Sequence, residues 1–69
     1  MESKELQRVY VLLSNEIIKV QHKIDRIDRH IENCDRLSRE YWCNVRVETV
    51  AYLNGIYKAR DIVWKELHR

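Results

Sequence analysis

Apolar residues recur through the first half of the chain at intervals that alternate between three and four. Leu6, Leu13, Val20, Ile27 and Cys34 form one column, and Tyr10, Ile17, Ile24 and Ile31 form the other. This is a heptad seam, the pattern of a helix that lays one continuous stripe against a partner, and it predicts a helix over about residues 3–33. A second stripe runs through Val50, Leu53, Tyr57, Arg60, Trp64 and Leu67, flanked by Thr49, Ile56 and Val63. It predicts a second helix over about residues 39–68.

The only glycine of the chain, Gly55, follows Asn54, and an Asn-Gly pair between apolar residues ordinarily marks a hairpin turn. Here the apolar phase passes straight through it, because Val50, Tyr57 and Trp64 stand seven residues apart on both sides of the pair. A turn would have scrambled that phase, so Gly55 belongs inside the helix. A helical glycine costs about 1 kcal/mol relative to alanine. Ala51, Gly55 and Ala59 share one nearly bare face, which either receives another helix closely or is simply exposed.

The reversal is expected near residues 34–38, where Asn33, Asp35 and Ser38 supply short polar side chains that can cap a helix start. Helix 2 would then begin near Ser38, with Asn44 as the alternative cap. The local alternation of Val45-Arg46-Val47-Glu48-Thr49-Val50 looks strand-like, but no other segment could pair with an isolated strand. The expected fold is therefore all-α, a single-domain antiparallel two-helix hairpin.

One hairpin does not hide every apolar residue in this pattern. Val11, Leu12 and Ile18 fall outside the seam of helix 1, and Ala51, Gly55, Ala59 and Ile62 fall outside that of helix 2. At 69 residues a single core is marginal. The expectation is a homodimeric four-helix bundle, paired about a two-fold axis through these residues. Trp42 and Tyr52, at the margins of the stripe, are added as candidate partner contacts because tryptophan and tyrosine are favoured interface anchors. In length and in this hairpin-dimer architecture the chain resembles the Rop family of small plasmid copy-number regulators. No motif residue is shared, so the likeness is architectural, and it implies RNA binding through a helix face only as an alternative.

Composition narrows the classes further. Hydrophobic residues are 45% and charged residues 35% of the chain, with no proline, which excludes disordered and loop-rich classes. Thirteen basic against 11 acidic residues leave a net charge of +2, so any nucleic-acid footprint has to be local. The candidate for one is a basic line on the outer side of helix 1: Arg8, His22, Arg29 and Arg36, joined by Lys19 and Arg26. Asp25, Asp28, Glu32 and Asp35 interleave with it, and pairs such as Asp25 with Arg29, Glu32 with Arg36 and Asp35 with Arg39 read as a salt-bridged solvated surface. Two cysteines are too few for a secreted disulfide scaffold, the charged N-terminal stretch has no signal-peptide apolar run, and a soluble, cytoplasmic protein is expected.

Catalytic chemistry finds no foothold. His30 and Cys34 stand four residues apart with Cys43 nearby, but a structural zinc site calls for four closely spaced ligands. No nucleophile has a base partner, and no glycine-rich phosphate loop exists. No catalytic, metal or cofactor site is assigned. Arg60, lying where a core leucine would be expected, is read as reaching the bundle edge, with Glu16 as its candidate partner. The functional expectation is a non-enzymatic dimeric adaptor or regulator that acts by binding protein.

Overall fold

The computed structural model describes residues 3–69 as two antiparallel helices, α1 (Lys4–Asn33) and α2 (Arg36–Leu67), packed side by side. The rod they form measures 55 × 14 × 12 Å. Helix α1 starts where Ser3, in extended conformation, accepts a hydrogen bond on its Oγ from the Leu6 amide at 3.2 Å. That satisfies one of the amides a helix start leaves free. Neither helix is long and apolar enough to cross a membrane.

The reversal takes only Cys34 and Asp35, both in extended conformation. Asn33 Nδ2 donates to the Arg29 carbonyl at 2.9 Å and closes the end of α1. Asp35 Oδ1 then accepts from the Ser38 amide at 2.8 Å and opens α2. Helix 2 therefore begins at Arg36, earlier than the Ser38 start predicted from spacing, because the aspartate is the cap and the serine supplies the amide it holds. Asn44 lies within the helix. No residue among those described has a positive φ, so the turn dispenses with glycine.

Hydrogen bonds from the backbone and then the side chain of Ser38 hold the Asp35 carboxyl below its ordinary value of 3.8. The folded state thus prefers the ionised cap, whose contribution is complete above the unfolded value and is lost as pH falls through the folded one. Asp35→Asn keeps an acceptor but cannot titrate. The acid limb of the thermal-unfolding profile, followed by circular dichroism between about pH 6 and pH 2, is expected to be shallower in this variant than in the parent.

The core consists of Ile17, Val20, Ile24 and Ile27 from α1 with Thr49, Leu53 and Ile56 from α2, and Leu13, Val50 and Tyr57 pack around it. On α1 the predicted seam is the buried face. On α2 the buried stripe is rotated from the prediction: Thr49 and Ile56, read as flanking, lie at its centre, whereas Val50 and Tyr57 are half-buried and Trp64 is exposed. Thr49 can be buried because its hydroxyl donates to the Val45 carbonyl at 2.7 Å. The aromatic rings are too large for the narrow contact between two helices and line its edge. Trp64 stacks on His68 with ring centroids 3.9 Å apart.

Gly55 is helical, as the apolar phase required, and a Cβ built on it meets nothing within 4 Å. Within one hairpin its missing side chain serves no contact. Gly55→Ala is expected to raise thermal stability by up to about 1 kcal/mol through helix propensity alone. A loss of stability in the same melt would mean that something outside the chain presses on this position.

Candidate functional site

Two cross-hairpin hydrogen bonds define the broad sides of the rod. On one, the Tyr52 hydroxyl donates to Glu16 Oε1 at 3.4 Å; on the other, Gln21 Nε2 donates to the Tyr57 hydroxyl at 2.8 Å. Both helices keep heptad phase, so residues seven apart share a side. Glu16, Lys19, Lys23, Arg26, Glu48 and Tyr52 line a shallow groove on the Tyr52 side. By phase Val9 joins Glu16, Leu12 joins Lys19 and Arg26, Gly55 and Ile62 join Glu48, and Ala59 joins Tyr52.

The Tyr52 side therefore carries an apolar half toward the open end, where Val9, Leu12 and Ile62 are all exposed. Its other half is charged. None of Lys19, Lys23, Arg26 and Glu48 makes an ion pair within 4 Å among the described residues, where the pairs are Asp28 with Arg46, Asp61 with Lys65 and Glu66 with Arg69. The local pairs predicted along helix 1 are not formed: no ion pair within 4 Å joins Asp25 to Arg29 among the described residues, the turn separates Glu32 from Arg36, and Asp35 is spent on its cap.

The candidate interface residues do not form one surface. Leu12, Tyr52, Gly55, Ala59 and Ile62 come together on the Tyr52 side. Val11 and Ile18, also exposed, lie round the back of α1 toward the Tyr57 side, and Ala51 is on the outermost line of α2. Trp42 is half-buried near the turn, stacked on His30 at 4.4 Å between centroids. Seven of these were expected outside the seams and Trp42 and Tyr52 at the stripe's margins; only the direction of the partner helix separates them.

The Tyr57 side carries Asp25, Asp28, Glu32, Glu40 and Asp61 together with Lys4, Arg36, Arg46 and Arg60. Arg60 is half-buried at its upper end. Its guanidinium lies 5.3 Å from the Tyr57 ring centre and 5.8 Å from that of Tyr10, and Nη1 donates to Ser14 Oγ at 3.4 Å. Two aromatic faces and a hydroxyl thus hold the charge. The partner predicted for it, Glu16, is on the other side with Tyr52. The pair of tyrosines around Arg60 was not foreseen, although the heptad relation of Tyr10 to the seam contained the signal.

The basic line keeps only part of its length. Arg8, His22 and Arg29 follow the outer back of α1, and Lys19, His22, Arg26 and Arg29 surround a shallow depression that also contains Asp25. Arg36 is not on this line, because it is the first residue of α2, beyond the turn. Cys34 is half-buried and Cys43 exposed, both as free thiols, and His30 faces Trp42 rather than a cysteine. No cluster of three or more metal-ligating side chains occurs among the described residues. Comparisons with protein-family models, curated proteins and solved structures find no match to this chain.

Proposed function

We propose that this protein is a small, non-enzymatic helical adaptor or regulator that works as a homodimeric four-helix bundle and acts through protein–protein contact in the cytoplasm. The observation that carries the reading is the mismatch between what the hairpin hides and what it shows. Among the described residues six hydrophobic side chains are buried and ten large ones are exposed. The radius of gyration is 15.9 Å, where a compact chain of this length would have about 11 Å. The surface of 5876 Å² likewise exceeds the roughly 4,700 Å² of a globular monomer of this mass.

A globular dimer would expose about 7,700 Å². Two free hairpins would have to bury about 4,000 Å² to reach that, within the range of about 2,000–5,000 Å² that obligate homodimers use. The Tyr52 side supplies an exposed apolar strip and balanced charge for such a contact. Pairing there leaves Leu37 near the turn, and Val11, Ile18 and Val47 elsewhere, open to a further protein partner. Sedimentation equilibrium at micromolar concentration tests the first step, with a mass twice the 8.5 kDa of the chain expected and a lone monomer overturning it. A stoichiometric protein retained from lysate after nuclease treatment would extend the reading to a specific target.

RNA binding along the back of α1 is the second reading, resting on Arg8, Lys19, His22, Arg26 and Arg29. Asp25 sits among these groups, and a stripe this short neutralises few phosphates. A mobility-shift assay with duplex RNA is expected to show no retained complex at about 0.15 M salt. A shift there that disappears in the Arg8→Glu, Arg29→Glu variant would reverse the order of the two readings.

A further inference from the structure

We infer that the two hairpins pair with both turns at the same end, about a two-fold axis parallel to the rod, so that α1 of each chain packs along α2 of the other. The inference rests on the dimer reading above and fixes its geometry. Within the hairpin, contacts hold Ser14 level with Arg60 and Asp28 level with Arg46. On the same progression Leu12 is level with Ile62, Lys19 with Gly55 and Arg26 with Glu48. All six are exposed on the Tyr52 side.

A two-fold parallel to the rod brings α1 of one chain against α2 of its partner and permits no sliding, so every residue stays at its own level. Leu12 then meets the level of the partner's Ile62, and Arg26 that of the partner's Glu48. Lys19 lays its stem across the bare backbone at the partner's Gly55, where an added Cβ would meet nothing within 4 Å. In the Leu12–Ile62 and Arg26–Glu48 pairs apolar meets apolar and opposite charge meets opposite charge, and every neighbouring helix pair in the bundle is antiparallel, as in up-and-down bundles.

The competing two-fold, perpendicular to the rod, sets α1 against α1 with the levels reversed. Full overlap then brings Leu12 to Arg26, Lys19 to a second Lys19 and Ile62 to Glu48. Each contact is mismatched. Sliding the hairpins until the apolar halves coincide restores those contacts but leaves about half of each rod uncovered, well short of the area an obligate dimer buries. The Tyr57 side does no better, since the same two-fold there would bring Val11 near the level of the partner's Asp61 and Glu32 near that of the partner's Glu40.

The test places one spin label per chain at Leu37→Cys, an 88% exposed position beside the turn, with Cys34→Ser and Cys43→Ser removing the native thiols. With both turns at one end, the interlabel distance measured by pulsed EPR is expected at about 30 Å, from interaxial spacings of 8–10 Å plus the outward reach of the labels. Opposed turns would give about 50 Å or more at 1.5 Å rise per residue and overturn the inference. Sedimentation of the same sample separates the failures: a monomer overturns the dimer reading itself, and a dimer with distant labels overturns only the geometry. Charge exchange is an independent check on exposed positions that folding does not use. Arg26→Glu alone is expected to weaken dimerisation several-fold at low salt, and adding Glu48→Arg to restore it; absence of rescue would also overturn the inference.

Discussion

Ile17→Ala is expected to cost about 2–5 kcal/mol, and its neighbour Ile18→Ala less than about 0.5 kcal/mol. The two residues are identical in type and adjacent in sequence, but Ile17 is 4% exposed and Ile18 52%. Ile17 packs in one cluster with Val20, Ile24, Leu53 and Ile56, so truncation opens a cavity at the centre of the hairpin's core. A domain of this length has a total stability of roughly 3–10 kcal/mol, and the loss would consume much of it. Urea titration followed by far-UV circular dichroism measures both variants. Protein concentration must be matched, since dimerisation contributes to the apparent stability. Equal losses at the two positions would mean that the buried face of α1 is not the heptad seam.

That seam is the part of the fold most legible in the sequence, and the reason is physical. Eight α1 positions repeat in strict heptads, and a helix with such a stripe has a single way to bury it. The same reasoning kept Gly55 helical against its local turn signal, because the phase of Val50, Tyr57 and Trp64 integrates over several turns whereas Asn54-Gly55 is one dipeptide. Phase alone fixes a stripe only to within about one column. On α2 hydrophobicity drew the reading toward large aromatics, while packing drew the structure toward Thr49, a residue whose polarity is cancelled by its own helix through the Val45 carbonyl. The turn was located, but which side chain caps α2 depends on backbone geometry, and Asp35 and Ser38 are equally good caps by type. Arg60 was legible as an anomaly and illegible in its solution, since choosing between Glu16 and the Tyr10 and Tyr57 rings requires knowing on which side of the seam it emerges.

The division of the exposed apolar residues between two sides gives the second large effect. Leu12 and Ile62 are 60% and 64% exposed on the Tyr52 side. Leu12→Glu combined with Ile62→Glu is expected to raise the dimer dissociation constant by more than about 100-fold, since each change places an unpaired carboxylate where an apolar contact would form. Both positions lie outside the core, so the helical content of the hairpin should remain and circular dichroism can verify it. Val11→Glu with Ile18→Glu makes the same chemical change at comparable exposure on the other side of α1 and is expected to leave the sedimented mass of the dimer unchanged. The comparison controls for charge, helix propensity and lost hydrophobicity at once, so the face on which the carboxylates sit is the variable that remains. If the Val11 and Ile18 variant were the one to dissociate, the interface would have to be moved to the Tyr57 side. Val11 and Glu32 would then lie near the levels of Asp61 and Glu40 in a second copy of this chain, and a different protein would become the better occupant.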